Sequence, residues 1–253
     1  MVIATHSVQI IDRVPLEDVV HLERTSQETR IRRLPRDGTD DDLDTFASNL
    51  AEQLGLSTSS ILFERCFLLV EGSSEKRAFP RMFHLATGVR LREAGIIIWE
   101  SGNNTNALKL TRYLTGMGKP VYVIVDKDSL RDQPKLFSER ELNNHGVPTN
   151  RIDYLGDPNE LEELFSDEQW TELANLHWPQ RDGNPWLPEQ FAALRCAGKF
   201  SKKVSDLVSG GMGGSTAKPD LMARHAELAT SREDIPEKLA EAFDRLLAAA
   251  RQP

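Results

Sequence analysis

Two short runs constrain this chain more than any other feature. FLLV at residues 67–70 and VYVIV at residues 121–125 are continuously apolar, and each stops abruptly at acids, EG after the first and DKD after the second. A strand with one wet face alternates apolar and polar residues, so an unbroken apolar run bounded by turn-formers reads as a strand buried on both faces. GIIIWES at residues 95–101 is a third such run, and RIDYLGD at 151–157 a weaker fourth. Helical patterns fall between them: SSEKRAFPRMFHLATG, in which Pro80 is expected to kink or shorten the helix, and NALKLTRYLTGMG, closed by glycine. Strands alternating with helices imply right-handed crossovers and a parallel α/β sheet, whose functional residues gather at the strand carboxyl ends. The acids lie at those ends.

The flanks read differently. VIATHS, VQIIDRV, DVVHLER and ETRIRRLP suggest a small N-terminal β-rich segment. RDGTDDDLD is turn-forming, and Leu43, Phe46, Leu50 and Leu54 then fall at helical spacing, with Thr39 or an early Asp as cap. After about residue 166 the strand signal disappears. SDEQWTELANLHW, LPEQFAALRCAGKFSKKVSDLVS, KPDLMARHAELA and IPEKLAEAFDRLLAAARQ all carry helical spacing, so the C-terminal region is mainly helical. GGMGGSTAK, between two of these, is expected to be a flexible linker in preference to a phosphate loop, because the P-loop spacing and a preceding strand are both absent. The expected divisions are 1–60, 61–165 and 166–253, with 216–253 returning to the sheet.

With 253 residues the chain can bury a real core, and none of its apolar stretches approaches the ~20 residues needed to span a bilayer. MVIATHSVQIIDRV lacks the marks of a secretion signal, so a cytoplasmic protein without membrane contact is expected. Cys66 and Cys196 stand alone and read as reduced core thiols. A net charge of −8 excludes gripping nucleic acid by bulk basicity, although a metal-loading site itself concentrates carboxylates.

Glu71 and Glu75 are four apart across a strand end and the first helical turn, so both can face one point above the sheet. Asp126 and Asp128 are alternate residues, so in an extended segment their carboxylates share a face while Lys127 points elsewhere. Four converging acids repel one another unless cations are present, and hard divalent ions prefer carboxylate oxygen. Taken singly, each acid is also compatible with a solvated loop residue. The two patterns together, each directly after a buried strand, are the more specific signal.

At this point the sequence resembles a known family. LLVEGSSEKRAFP, GNNTNALKLTRYL, VYVIVDKDS and LGDPNELEELF, in that order, are similar to the TOPRIM domain of OLD-family (overcoming lysogenization defect) nucleases. The resemblance covers residues 61–165 well and the helical tail loosely. It implies a Rossmann-like TOPRIM fold and a two-metal DNA endonuclease using Mg²⁺ or Mn²⁺, with Ca²⁺ able to occupy the site without full activity. Glu71, Asp126 and Asp128 then match the core metal ligands, Glu75 an additional one, and Glu162 the acid of ELEELF, with Glu163 its close competitor. Asp157, Glu160 and Glu163 also fit a plain helix N-terminus. Ser129 and Gly72 are lesser candidates, Gly72 for close backbone approach. The family's charge-stabilising lysine is best matched by Lys218, with Lys199, Lys202 and Lys203 as alternatives. VIATHSVQIIDRVPLEDVVHLER resembles the last strand and switch-histidine segment of an ABC-type ATPase, with His6 as that histidine. The resemblance further implies DNA as substrate, a homo-oligomer formed through the ATPase part, and for some members a UvrD-like helicase partner in phage defence.

Three other functions use the same scaffold. Primase-like nucleotidyl transfer is disfavoured by the lack of a zinc-binding cysteine set. A topoisomerase needs a tyrosine nucleophile, and of Tyr113, Tyr122 and Tyr154 the second lies inside an expected buried strand. A non-catalytic DNA-binding or assembly module would bind metal without cleaving.

Overall fold

The computed structural model describes residues 2–14, 19–24, 29–32, 57–102, 106–195 and 199–251. The expected helix through Leu43, Phe46, Leu50 and Leu54, its cap at Thr39 or an early Asp, and Cys196 lie outside these. At the N-terminal end, β1 (His21–Arg24) and β2 (Thr29–Arg32) form an antiparallel hairpin. The strand expected at VIATHS is not formed: residues 2–6 are exposed and without regular structure, His6 among them. VQII is one helical turn, Val8–Ile11, whose Ile11 alone is buried.

The four runs recognised as strands form one parallel sheet, β3 (Cys66–Val70), β4 (Ile96–Glu100), β5 (Val121–Asp126) and β6 (Ile152–Leu155), in the order β4-β3-β5-β6. Successive residues point to opposite faces. Cys66, Leu68, Val70, Tyr122 and Ile124 therefore pack into one apolar layer, and Phe67, Leu69, Val121, Val123 and Val125 into the other. The second layer is closed by α2 (Asn106–Gly116), with the short helices Thr58–Phe63, Pro134–Phe137 and Glu139–Asn144 contributing Ile61, Leu62, Leu136, Phe137 and Leu142. The first is closed by α1 (Ser73–Thr87) together with the C-terminal helices α3 (Asp167–His177), α4 (Pro188–Arg195), α5 (Phe200–Met212), α6 (Lys218–Leu228) and α7 (Glu237–Arg251). The helical region thus shares one continuous core with the sheet, running from Cys66 to Ala250. Phe243 of α7 is held edge-on between Phe79 and Phe83 of α1, at 5.1 and 5.6 Å.

Three further expectations are corrected. Pro80 neither shortens nor interrupts α1, because it sits on the solvent face where the Lys76 carbonyl it leaves without a partner is open to water. GGMGG is not a linker: Gly210–Met212 are the last turn of α5, Gly213 ends it in the left-handed region at φ 64°, and Arg181 donates to the carbonyls of Met212 and Gly213. Glycine is demanded there by packing, since a Cβ on Gly211 would lie 2.3 Å from the Trp186 ring. ELEELF is a 3-10 turn, Leu161–Leu164. The helix Thr58–Phe63 runs through residue 61, and its Ser59 amide and hydroxyl both donate to Asp12. Cys66 is buried as expected, and burial pushes its thiol up to about 12, which keeps it protonated. Among the described residues no helix is long and apolar enough to cross a membrane.

Candidate active site

The order β4-β3-β5-β6 makes the chain leave β3 toward one edge of the sheet and β5 toward the other. The carboxyl ends of β3 and β5 therefore flank a topological switch point, where a parallel sheet opens a crevice. Glu71 directly follows β3, and Asp126 is the last residue of β5. Residue parity decides where Asp126 points: it continues the Tyr122 and Ile124 side, toward the C-terminal helices.

Those helices bring the remaining groups. In α1 the buried stripe runs through Phe79, Met82, Phe83 and Ala86, and Glu75 occupies its first position. In α6 the stripe runs through Leu221, Met222 and His225, and Lys218 occupies its first position. The two helices pack side by side. Arg77 pairs with Asp220 at 2.8 Å, and Arg81 donates to the carbonyls of Ala226 and Ala229, so both helices run the same way and their N-termini meet over the sheet end. A carboxylate and an ammonium thus stand where each stripe would otherwise carry an apolar side chain, a costly placement without compensating partners.

The partners are each other. The Lys218 ammonium lies 3.7 Å from Glu162 Oε1 and 3.8 Å from Asp126 Oδ2, while 43% of its side chain stays exposed and can be reached from solvent. Asp126 also accepts from the Leu161 amide at 2.9 Å. Glu75 folds back to accept from the Gly72 amide at 3.2 Å and so caps its own helix as well as facing Asp126. Burial, then the Asp126 carboxylate, lifts the Glu75 carboxyl from 4.5 to about 8, with Lys218 pulling the other way. Glu162 rises to about 7, from burial first, opposed by Lys218 and supported by Glu75. Asp126 is likewise held well above the usual range by burial and by Glu162. Burial alone would depress the Lys218 ammonium, but Glu162, Asp126, Glu160 and Glu75 outweigh it and hold the group charged. Three buried acids share one lysine, an excess of negative charge.

Glu71 sits at the side of this group, with one oxygen accepting from the Ser129 hydroxyl and the other from the Gln133 amide at 2.8 Å. Its backbone carbonyl accepts from the Ser101 hydroxyl at 3.1 Å. Asp128 is placed differently from the extended pattern expected of D-x-D. The strand ends at Asp126, and Asp128 lies in a turn at φ −73°, ψ −15°, with Arg131 at 3.9 Å and with Glu160, Asp132 and Glu71 as its charged surroundings. Burial, then Glu160, raises its carboxyl. Gly72 is extended, and a Cβ there would make only an ordinary 3.7 Å contact with Glu75, so close approach does not require glycine at that position.

The loop after β6 separates Glu162 from Glu163. The Glu163 carboxylate accepts from the amides of Asn159 and Glu160, both at 2.7 Å, and caps its own turn. Glu162 is left facing Lys218. Asp157 pairs with Lys238 on the surface, and Glu160 accepts from the Ser201 amide at 2.7 Å. Gly156, at φ 143°, is indispensable to this loop, since a Cβ would lie 2.3 Å from Asn159 O, the carbonyl that receives the amides of Lys127 and Asp128. Lys199 begins α5 in the left-handed region beside Asp132, Lys202 is exposed and Lys203 half-buried, whereas Lys218 alone of the four is placed between the buried acids. Of the tyrosines, Tyr122 donates to Asp153 and Tyr154 to the Phe137 carbonyl, both at 2.5 Å, which commits those hydroxyls internally. Ser101 and Gln133 were not singled out from the sequence, and Glu160 was read there only as part of a helix N-terminus.

Residues 62–128 match the family model described as overcoming lysogenization defect protein-like, TOPRIM domain. This stretch is an OLD-like TOPRIM domain. It spans β3 to Asp128 and so holds Glu71, Glu75, Asp126 and Asp128, while Glu162 and Lys218 lie beyond it. The fold is similar to the C-terminal region of the Burkholderia pseudomallei OLD protein, with a TM-score of 0.50 at 18% identity over 74% of this chain and 99% of that one. The C-terminal region of the Xanthomonas campestris pv. campestris OLD protein gives a TM-score of 0.48 at 17% identity, covering 74% and 97%. No curated protein matches the chain.

The donor chemistry of the TOPRIM acids fits a hard divalent cation such as Mg²⁺ or Mn²⁺, since the facing groups are carboxylates and a hydroxyl. Among the described residues no group of three or more His, Cys, Asp or Glu side chains forms a ready coordination shell. Between Asp126 and Glu162 the positive charge is that of Lys218.

Proposed function

We propose that this chain is a metal-dependent DNA endonuclease, with its centre at the carboxyl ends of β3 and β5. The observation that carries this reading is the facing of buried Glu75, Asp126 and Glu162 around one half-exposed lysine at the switch point of a parallel sheet. Glu71, Asp126 and Asp128 are the core metal ligands on this reading, joined by Glu75, Glu162 and Ser129. Bound Mg²⁺ or Mn²⁺ ions would supply an activated water and a charge opposite the leaving oxygen of a phosphodiester.

The chain's own residues do the rest. Glu75 and Glu162, with carboxyls at about 8 and 7, hold protons near neutrality and give them up on metal loading. Lys218, held charged by its acidic neighbours and open to solvent, stabilises the negative charge that develops on the phosphate oxygens. The N-termini of α1 and α6, pointing at the same place, add positive potential toward an anionic backbone. The likeness of residues 2–24 to the end of an ABC-type ATPase supports a place beside such a domain, through which homo-oligomers and a helicase partner in phage defence would be reached.

The test is supercoiled plasmid incubated with the chain and Mg²⁺, Mn²⁺ or Ca²⁺ in turn. Nicked or linear product with Mg²⁺ or Mn²⁺, lost on chelation and weak with Ca²⁺, is the expected result. Metal binding without cleavage would instead make the chain a binding module.

A further inference from the structure

Asp126 and Glu162 face the Lys218 ammonium, whereas both oxygens of Glu71 are met by neutral donors, the Ser129 hydroxyl and the Gln133 amide at 2.8 Å, and among the described residues Glu71 has no ion pair. The two donors come from one segment directly after D-x-D, in the helical turn Ser129–Asp132 and at the residue that ends it. A carboxylate can only accept, so Gln133 must present its NH₂ group there.

The position of that amide is built in. The Gln133 N–H donates to Ser129 O at 2.9 Å, and its carbonyl accepts from the amides of Leu136 at 2.9 Å and Phe137 at 3.0 Å. Leu136 and Phe137 are buried in the apolar layer under α2, at 4% and 0% exposure, so the backbone at Gln133 is tied to the core on one side and to the strand end on the other. An amide held this way fixes a carboxylate without neutralising it. An arginine or lysine at the same place would compete with an incoming cation, whereas an amide and a hydroxyl orient Glu71 and leave its charge and remaining lone pairs available.

We propose that Gln133 is a positioning residue that, with Ser129, locks the Glu71 carboxylate in the orientation from which it holds a divalent cation. The inference rests on the metal-centre reading and names a residue outside the ligand set. Outer-shell partners of this kind typically change metal affinity by roughly 10- to 100-fold.

The experiment is calorimetric titration of Mn²⁺ into the wild-type chain, Gln133→Met, Glu71→Gln and the double variant, alongside thermal melts of each without metal. Methionine keeps the length and removes the donor. The expected result is a folded Gln133→Met protein whose Mn²⁺ affinity is lower by about 10- to 100-fold, with the loss absent when Glu71 is already glutamine. A melting point lowered without a change in affinity would make Gln133 structural and overturn the proposal. If Glu71→Gln weakens binding and Gln133→Met does not, the proposal fails while the metal centre stands. Absence of Mn²⁺ binding to the wild-type chain would overturn both.

Discussion

Helix α6 carries two perturbed titratable groups, half-exposed Lys218 at its start and buried His225 two turns on, and they sit in opposite kinds of surroundings. Lys218 faces Glu162 and Asp126 and keeps part of its side chain in solvent. His225 is 4% exposed, stacked at 4.0 Å on Phe165 and edge-on at 4.3 Å to Trp170, with its Nε2 lacking any hydrogen-bond partner among the described residues. Burial alone pushes its imidazole from 6.5 down to about 3, so it stays neutral in its aromatic cage. Both groups are strongly perturbed, yet only one of them is surrounded by convergent opposite charge and open to a ligand. Perturbation by desolvation marks burial, and a functional site needs partners as well.

The comparison can be broken at Lys218 first. Lys218→Ala is expected to lower the cleavage rate by about a hundred- to a thousandfold while leaving the fold intact, as when one electrostatic donor is lost. The same substitution removes the influence that lowers the carboxyls of Asp126, Glu75 and Glu162, so metal uptake should shift to higher pH. Rates at saturating metal and a Mn²⁺ titration across pH check the two halves. A rate loss matched by weaker DNA binding and a flatter salt dependence would recast Lys218 as a backbone contact.

The smaller effect lies in the pH dependence of stability, where the two regions have opposite signs. Between 4.5 and about 8 the folded metal-free chain holds more protons at Glu75 and Glu162 than the unfolded chain does, so their contribution to stability falls as pH rises through that window. Between 6.5 and about 3 the unfolded chain takes up a proton that His225 refuses, so the contribution of His225 is present above 6.5 and lost as pH falls. Melts of the metal-free chain should therefore decline on both sides. His225→Phe should flatten the acid side below pH 4.5 and change cleavage by less than about twofold, since it keeps the stacking and deletes an unsatisfied nitrogen. A large loss of cleavage in a folded His225→Phe protein would place the aromatic cage in the catalytic machinery.

How far the sequence reached can be seen in the same two regions. The four strands, their parallel arrangement and the acids at their ends were legible, because buried runs such as FLLV and VYVIV leave no competing pattern. The choice between Glu162 and Glu163 was not, since it depends on which carboxylate turns back onto the amides of Asn159 and Glu160, a matter of loop geometry. The role of GGMGG was misread for a related reason. Glycine signals freedom locally, while here it makes room for the Trp186 ring, which sits 25 residues earlier in the chain than Gly211. Gln133 and the His225 cage were invisible because their partners come from elements far apart in sequence, and neither a glutamine in a turn nor a histidine on a helical stripe signals its neighbours.

The central claim is that the acids at the sheet end hold the ion that makes the chain cut. Its most direct test is Mn²⁺ binding followed by electron paramagnetic resonance in the wild-type chain and in Asp126→Asn, with plasmid cleavage assayed on the same samples. Asp126→Asn keeps the side-chain shape and removes the charge, so a folded variant that loses bound Mn²⁺ and cleavage together is the expected result. A folded Asp126→Asn protein that still binds Mn²⁺ and cleaves at the wild-type rate would contradict the account.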